Sequence, residues 1–148
     1  MPRAHINALG TIAEVTGSSL HTLAAKILPV LTGELVRTDA LAKADDAAGL
    51  ELREALENCS LKIVSAVEDT GIQWFCVEML KECNSEEPAR RKWGVKIVGQ
   101  FVSGNTAEFT QQVPMLLKEL VGRFIDHDND VLVAVRDSLN LLVKVRYV

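Results

Sequence analysis

The 148-residue chain is short of most things that special chemistries and special classes of protein require. It has three cysteines, Cys59, Cys76 and Cys83, an odd number with no CxxC pair, which excludes a disulfide framework and predicts reduced thiols in an intracellular protein. Aromatic residues are 5% of the chain, too few for a surface built on base stacking. Positive charge is not in excess: 16 Lys and Arg against 20 Asp and Glu leave a net charge of −4, which argues against a whole-surface nucleic-acid binder while leaving room for a local basic patch. No apolar run approaches the roughly 18 residues that a membrane span needs, and the opening MPRAHINALG lacks a signal-peptide layout. Nucleotide-binding GxxxxGK[ST] and GxGxxG runs and the GxSxG elbow are absent.

What is present is helical periodicity. Leu20, Leu23, Ala24, Ile27, Leu28, Leu31 and Leu35 place one apolar stripe along a helix, and Val113, Leu116, Leu117, Leu120, Val121, Phe124 and Ile125 place another. Turn and cap residues divide the chain into about seven helices: Arg3 to Thr16, Ser18 or Ser19 to Val36, Ala48 to Ala66, Asp69 to Cys83, Ser85 to Gly104, Thr106 to Asp126, and Asp128 to the end. Residues 39–47, polar and alanine-rich, read as a mobile loop or a weak helical turn. Short connections make successive helices antiparallel. The expected class is all-α.

The helices repeat. ILPVLTGELV (Ile27–Val36) resembles QVPMLLKELV (Gln112–Val121), with Pro29 matching Pro114, and VEMLKE (Val77–Glu82) lies between them. Their partners INALGTIAEV, KWGVKIVGQF and VRDSLNLLVK also rhyme. Two helices per repeat of about 42 residues is the HEAT/armadillo period, which predicts a superhelical solenoid. An internal proline that bends the first helix of each pair fits it. Apolar helices at both ends predict one segment of a longer array, about half a repeat and then three whole ones, with Leu9, Ile12 and Ala13 at one end and Leu139, Leu142 and Val143 at the other forming uncovered apolar faces.

ENCSLKIVSAVEDTG (Glu57–Gly71), EMLKECNSEEPARRKWGVKIVGQF (Glu78–Phe101) and PMLLKELVGRFIDHDNDVLVAVRDSLNLLVK (Pro114–Lys144), preceded by ALGTIAEVTGSSL (Ala8–Leu20), resemble the C-terminal half of a giant scaffold family. This is the translational activator of general amino-acid control, which activates the kinase of initiation factor two's alpha subunit. The resemblance implies a non-enzymatic cytoplasmic protein that binds ribosomes and the RWD domain of that kinase, with no cofactor, small-molecule substrate, membrane or sequence-specific nucleic acid. The alternatives are a HEAT segment of a transport receptor or a ribosome-bound elongation factor, or a HEAT-like DNA glycosylase. The last needs a basic groove with an acidic catalytic residue and stacking aromatics, which this composition opposes.

The residues themselves offer few reactive groups. His5, His21 and His127 are far apart, and Cys76 and Cys83 share an apolar helical stripe, as core thiols do. Asp126, Asp128 and Asp130 imitate the start of an EF-hand loop, but Val131 stands where glycine is needed and Asp137 where glutamate is, so they read as an acidic turn capping the last helix. The densest positive spot is Arg90, Arg91, Lys92 and Lys96. At 100° per residue, Trp93, Ile97 and Phe101 span about 80° of helix surface, Arg91, Lys92 and Lys96 fall outside that arc, and Arg90 must snorkel out of it. Arg91 sits where the second helix of a HEAT pair often carries an arginine bonded to an acidic turn of the next repeat. Arg90, Lys92 and Lys96 are therefore the candidate partner-binding residues. Trp74, at the edge of its stripe, is expected to be partly buried.

Overall fold

The structure, a computed structural model, describes residues 2–15, 22–43 and 46–146. Among these residues there are seven α-helices and no strand: α1 (Arg3–Val15), α2 (Ala24–Lys43), α3 (Ala47–Ala66), α4 (Ile72–Cys83), α5 (Pro88–Gly104), α6 (Val113–Gly122) and α7 (Asn129–Arg146). The proposed Ser18 or Ser19 cap and His21 lie outside the described residues.

The helices form two layers. α2, α4 and α6 are the first members of three antiparallel pairs, and α3, α5 and α7 are the second members. α1 packs beside α3 as a second-layer helix. Second-layer helices run side by side, α1 on α3, α3 on α5 and α5 on α7, and the first layer packs beneath them. One continuous core fills the space between, with Leu28, Leu31, Leu56, Ile63, Phe75, Met79, Phe101 and Leu116 fully enclosed. Leu116 and Leu120 are core residues, as the stripe requires. Leu116→Ala is expected to cost about 2–5 kcal/mol in chemical denaturation; a loss below about 1 kcal/mol would mean that α6 presents another face.

Local chemistry sets the helix ends. The Asp46 carboxylate accepts the Ala48 amide at 3.0 Å and opens α3. Asp128 accepts the Val131 amide at 3.1 Å and opens α7. Asn105, just past α5, is buried and donates to the carbonyls of Val64 and Val67 at 2.8 and 2.9 Å, satisfying the end of α3. Its own Oδ1 accepts the Ala107 amide at 2.8 Å. Close approach of helices relies on glycine. A side chain on Gly94 would meet the backbone of Cys83 and Glu82 at 2.7 Å, and one on Gly99 would meet Ser138 Oγ at 2.6 Å.

Several expectations need correction. Of residues 39–47, read as a mobile loop or a weak helical turn, 39–43 are the continuation of α2 through Lys43 and 44–45 lie outside the described residues; the reason for the longer helix is the anchoring of Asp39 described below. α4 begins at Ile72, with Gly71 as its cap, instead of at Asp69. The segment expected to be helical from Thr106 has only a 3₁₀ turn at Thr110–Gln112, and the α-helix starts at Val113. Pro114 thus lies in the first turn of α6, where a missing amide costs nothing, whereas Pro29 lies inside α2. Trp74 is 61% exposed, because Ile72, Phe75, Cys76, Met79 and Cys83 occupy the opposite side of α4. At the ends, Ala13 and Leu142 are buried, Leu9 and Leu139 are half-buried, and only Ile12 and Val143 of the six are exposed. Neighbouring helices cover more of these faces than the stripes implied.

Candidate interaction surface

The four cations at the start of α5 divide by where their head groups go. Arg91 reaches into the turn before α7. Its Nε donates to Asp126 Oδ2 at 2.8 Å and its Nη2 to Asp126 Oδ1 at 3.1 Å, a two-point pairing, while Nη1 donates to the carbonyls of Ser85 and Glu86 at 3.1 and 3.0 Å. This is the bond to an acidic turn of the next repeat that the position of Arg91 suggested. Burial disfavours the Asp126 charge, but hydrogen bonds from Arg91 and the Asp128 amide, with the charges of Arg91 and Arg123, outweigh it and hold the carboxyl below its usual value.

Arg90 snorkels the other way. Its Nη1 lies 3.2 Å from Glu82 Oε2 and 3.1 Å from Thr32 Oγ1, joining α5 to α4 and α2. The Thr32 hydroxyl donates to the same Glu82 oxygen at 2.9 Å. Glu82 is a buried carboxylate, and Arg90 neutralises it. Arg90 therefore acts inside the fold, apart from Lys92 and Lys96.

Lys92 and Lys96 meet around Trp93. The Trp93 ring is buried, and three cations lie near its faces: Arg53 Cζ at 4.9 Å, Lys92 Nζ at 4.9 Å and Lys96 Nζ at 4.5 Å from the centroid. Asp39 of α2 holds the group together. Its Oδ2 accepts from Lys92 Nζ at 2.7 Å and from Trp93 Nε1 at 3.1 Å, and its Oδ1 accepts from Arg53 Nη2. Asp39→Asn removes the charge shared by these donors and is expected to lower stability by about 1.5–3 kcal/mol. Loss of α2 helicity near Lys43, read by amide hydrogen exchange, would accompany it; unchanged exchange there would contradict the anchoring role.

Lys96 is different from its neighbours. It has no carboxylate at ion-pair distance among the described residues. Burial lowers its ammonium pKa, and the charge of Lys92 lowers it further, against the opposing influence of Glu57. It opens onto a groove of about 880 Å³ between α2, α5 and α7. Ala89, Lys92 and Lys96 lie along the α5 side, and Asp130, Val133 and Asp137 of α7 lie opposite.

Among the described residues no other cluster of reactive groups competes with this groove. Among the described residues no three His, Cys, Asp or Glu side chains converge as metal ligands, and no helix is long and apolar enough to cross a membrane. The three cysteines are buried. Burial pushes the Cys59 thiol up to about 11, against a small opposing effect of Lys62, and the Cys76 thiol up to about 12; Cys83 moves in the same direction. None is the depressed thiolate that a nucleophile requires. Asp126 and Asp128 use their carboxylates on Arg91 and on the backbone of the turn.

Two layers of paired helices, an arginine clamping the turn of the following pair, and a motif-free outer face define a HEAT-repeat solenoid. The family model described as stalled ribosome sensor GCN1-like, HEAT repeats, matches residues 1–146, and the chain belongs to this family. It is 27% identical over 143 residues to the stalled ribosome sensor GCN1 of Homo sapiens, covering 97% of this chain and 5% of that protein. The mouse counterpart is 26% identical over the same length, and the protein ILITYHIA of Arabidopsis thaliana is 23% identical over 131 residues, covering 87% of this chain and 4% of that protein. The chain thus spans about one twentieth of the length of these relatives. No solved structure matches it.

Proposed function

We propose that this chain is a non-enzymatic scaffold segment of a cytoplasmic translational activator, one that associates with ribosomes and relays amino-acid starvation to the kinase of initiation factor two's alpha subunit. The family match over residues 1–146 carries this reading. The mechanism is positional. Packed helix pairs hold a rigid face on which partners, the ribosome and the RWD domain of the kinase, are brought together. In this reading Lys96 is the partner-contacting residue, Lys92 supports it through Asp39 and Trp93, and Arg90 is structural because it neutralises Glu82.

The geometry decides the variant to test. Replacing Arg90 would strand the buried Glu82 carboxylate, and replacing Lys92 would remove one of the three donors that Asp39 gathers, so both perturb the fold. Lys96→Glu in the full-length protein reverses the groove charge and removes one cation from the Trp93 face, but breaks no ion pair. Ribosome co-sedimentation and starvation-induced phosphorylation of the initiation factor are expected to fall several-fold with the circular dichroism unchanged. If both activities persist, this face is a spacer and the reading fails for it.

A further inference from the structure

The groove beside Lys96 has charge of opposite sign on its two sides. On α7, Asp130 and Asp137 are seven residues apart on one face, about 10 Å along the axis at 1.5 Å per residue. Neither has a cationic partner among the described residues. Half-exposed Val133 lies between them. Lys92 is neutralised by Asp39, and Arg53 is shared between Asp39 and Glu57, so the uncompensated cations lining the groove are Lys96 of α5 and Lys43 of α2. The two sets of charges do not pair across the groove, and an apolar strip of Ala89 and Val133 separates them.

This pattern selects among ligands. A nucleic-acid backbone in the groove would have to lie against Asp130 and Asp137 of α7, whose repulsion cancels the attraction of Lys43 and Lys96. A segment of a single charge sign would be attracted to one side and repelled by the other. A protein segment of mixed sign suits both, and its apolar middle covers Val133.

We infer that this groove docks a short helical segment of a partner protein, acidic where it meets Lys43 and Lys96 and basic along the edge that meets Asp130 and Asp137, with its cationic side chains about two helical turns apart. The inference rests on the reading of the chain as a protein-interaction scaffold and supplies the chemistry of the partner. Asp130 and Asp137 are as much part of recognition as Lys96.

The test uses the full chain and four fluorescent probes in an anisotropy titration at low and moderate salt. Three are short helical peptides: one with glutamate on one edge and lysines at i and i+7 on the other, one all-glutamate and one all-lysine. The fourth is a single-stranded RNA oligonucleotide. The mixed peptide is expected to bind tightest, by roughly tenfold over the others, and to weaken with salt. Asp130→Asn with Asp137→Asn removes that preference. Lys43→Glu with Lys96→Glu replaces both uncompensated cations by acidic groups and transfers the preference to the all-lysine peptide, an outcome that partial unfolding would not produce. Tightest binding of RNA or of a single-sign peptide to the unsubstituted chain, or indifference to these substitutions, overturns the inference. The two readings fail separately. Peptide selectivity with undiminished ribosome association in the full-length Lys96→Glu protein removes the proposed function and keeps the docking groove. Lost ribosome association without peptide selectivity does the reverse.

Discussion

Replacing Arg91 with methionine is expected to destabilise the protein by about 3–5 kcal/mol, because it leaves the Asp126 carboxylate buried beside α7 without its two-point partner. The Asp126 side chain is only 3% exposed, and Arg123 approaches it no closer than 4.0 Å. The loss should be reported by denaturant unfolding as a lower midpoint with unchanged cooperativity. It should also change the acid limb. In the unsubstituted protein the carboxyl is held below its ordinary value, so its contribution to stability is complete above about pH 4 and is lost as pH falls through the folded-state value. Without Arg91 the carboxyl titrates higher, and acid unfolding should begin at a higher pH. Adding Asp126→Leu to Arg91→Met removes the stranded charge and should recover part of the loss, since a buried pair replaced as a whole is far less costly than one broken in half. Equal and additive losses from the two substitutions would show that the pair is not coupled.

Arg91 was legible in the sequence because its role depends on local order: Pro88 starts the helix, and an acidic turn follows one repeat later. The partners of Arg90 and Lys92 were not legible in that way. Asp39 lies in an alanine-rich stretch that resembles a loop, and only the fold brings it to Lys92 and Trp93, more than fifty residues away. The same bonds explain why α2 extends two turns past Val36. Periodicity placed Trp93, Ile97 and Phe101 in the core correctly, yet Val95, Val98 and Val102 are equally buried. α5 is packed by α3, α4 and α7 together, and a single apolar arc registers only one of these neighbours. The exposed remainder is a narrow strip, and Lys96 falls on it because Trp93, Gly94, Val95, Ile97, Val98, Gly99, Phe101 and Val102 occupy the buried directions. The acidic side of the groove had a visible i, i+7 spacing, but its opposition to Lys96 comes from packing α7 against α5, which no local pattern encodes.

Alkaline conditions should unfold this chain earlier than its ordinary composition suggests. In the unfolded state the three thiols lose their protons near pH 8.5. In the folded state Cys59 and Cys76 remain protonated to about 11 and about 12, and Cys83 beyond, because burial penalises the thiolate. Between about pH 8.5 and 10 the unfolded chain therefore binds fewer protons than the folded one, and stability falls as pH rises. Each thiol contributes about 1.4 kcal/mol per pH unit once its unfolded form is ionised, so three approach about 4 kcal/mol per unit, a large share of the roughly 5–15 kcal/mol of a typical domain. Lys96 acts with the opposite sign, since its ammonium is held low in the folded state, but it is one group against three. Denaturant midpoints measured from pH 7 to 10 should drop steeply above pH 8.5. The variant with Cys59, Cys76 and Cys83 all changed to alanine, though less stable at pH 7, should show a markedly shallower slope. An equal slope in the two proteins would place the alkaline sensitivity elsewhere than in the thiols.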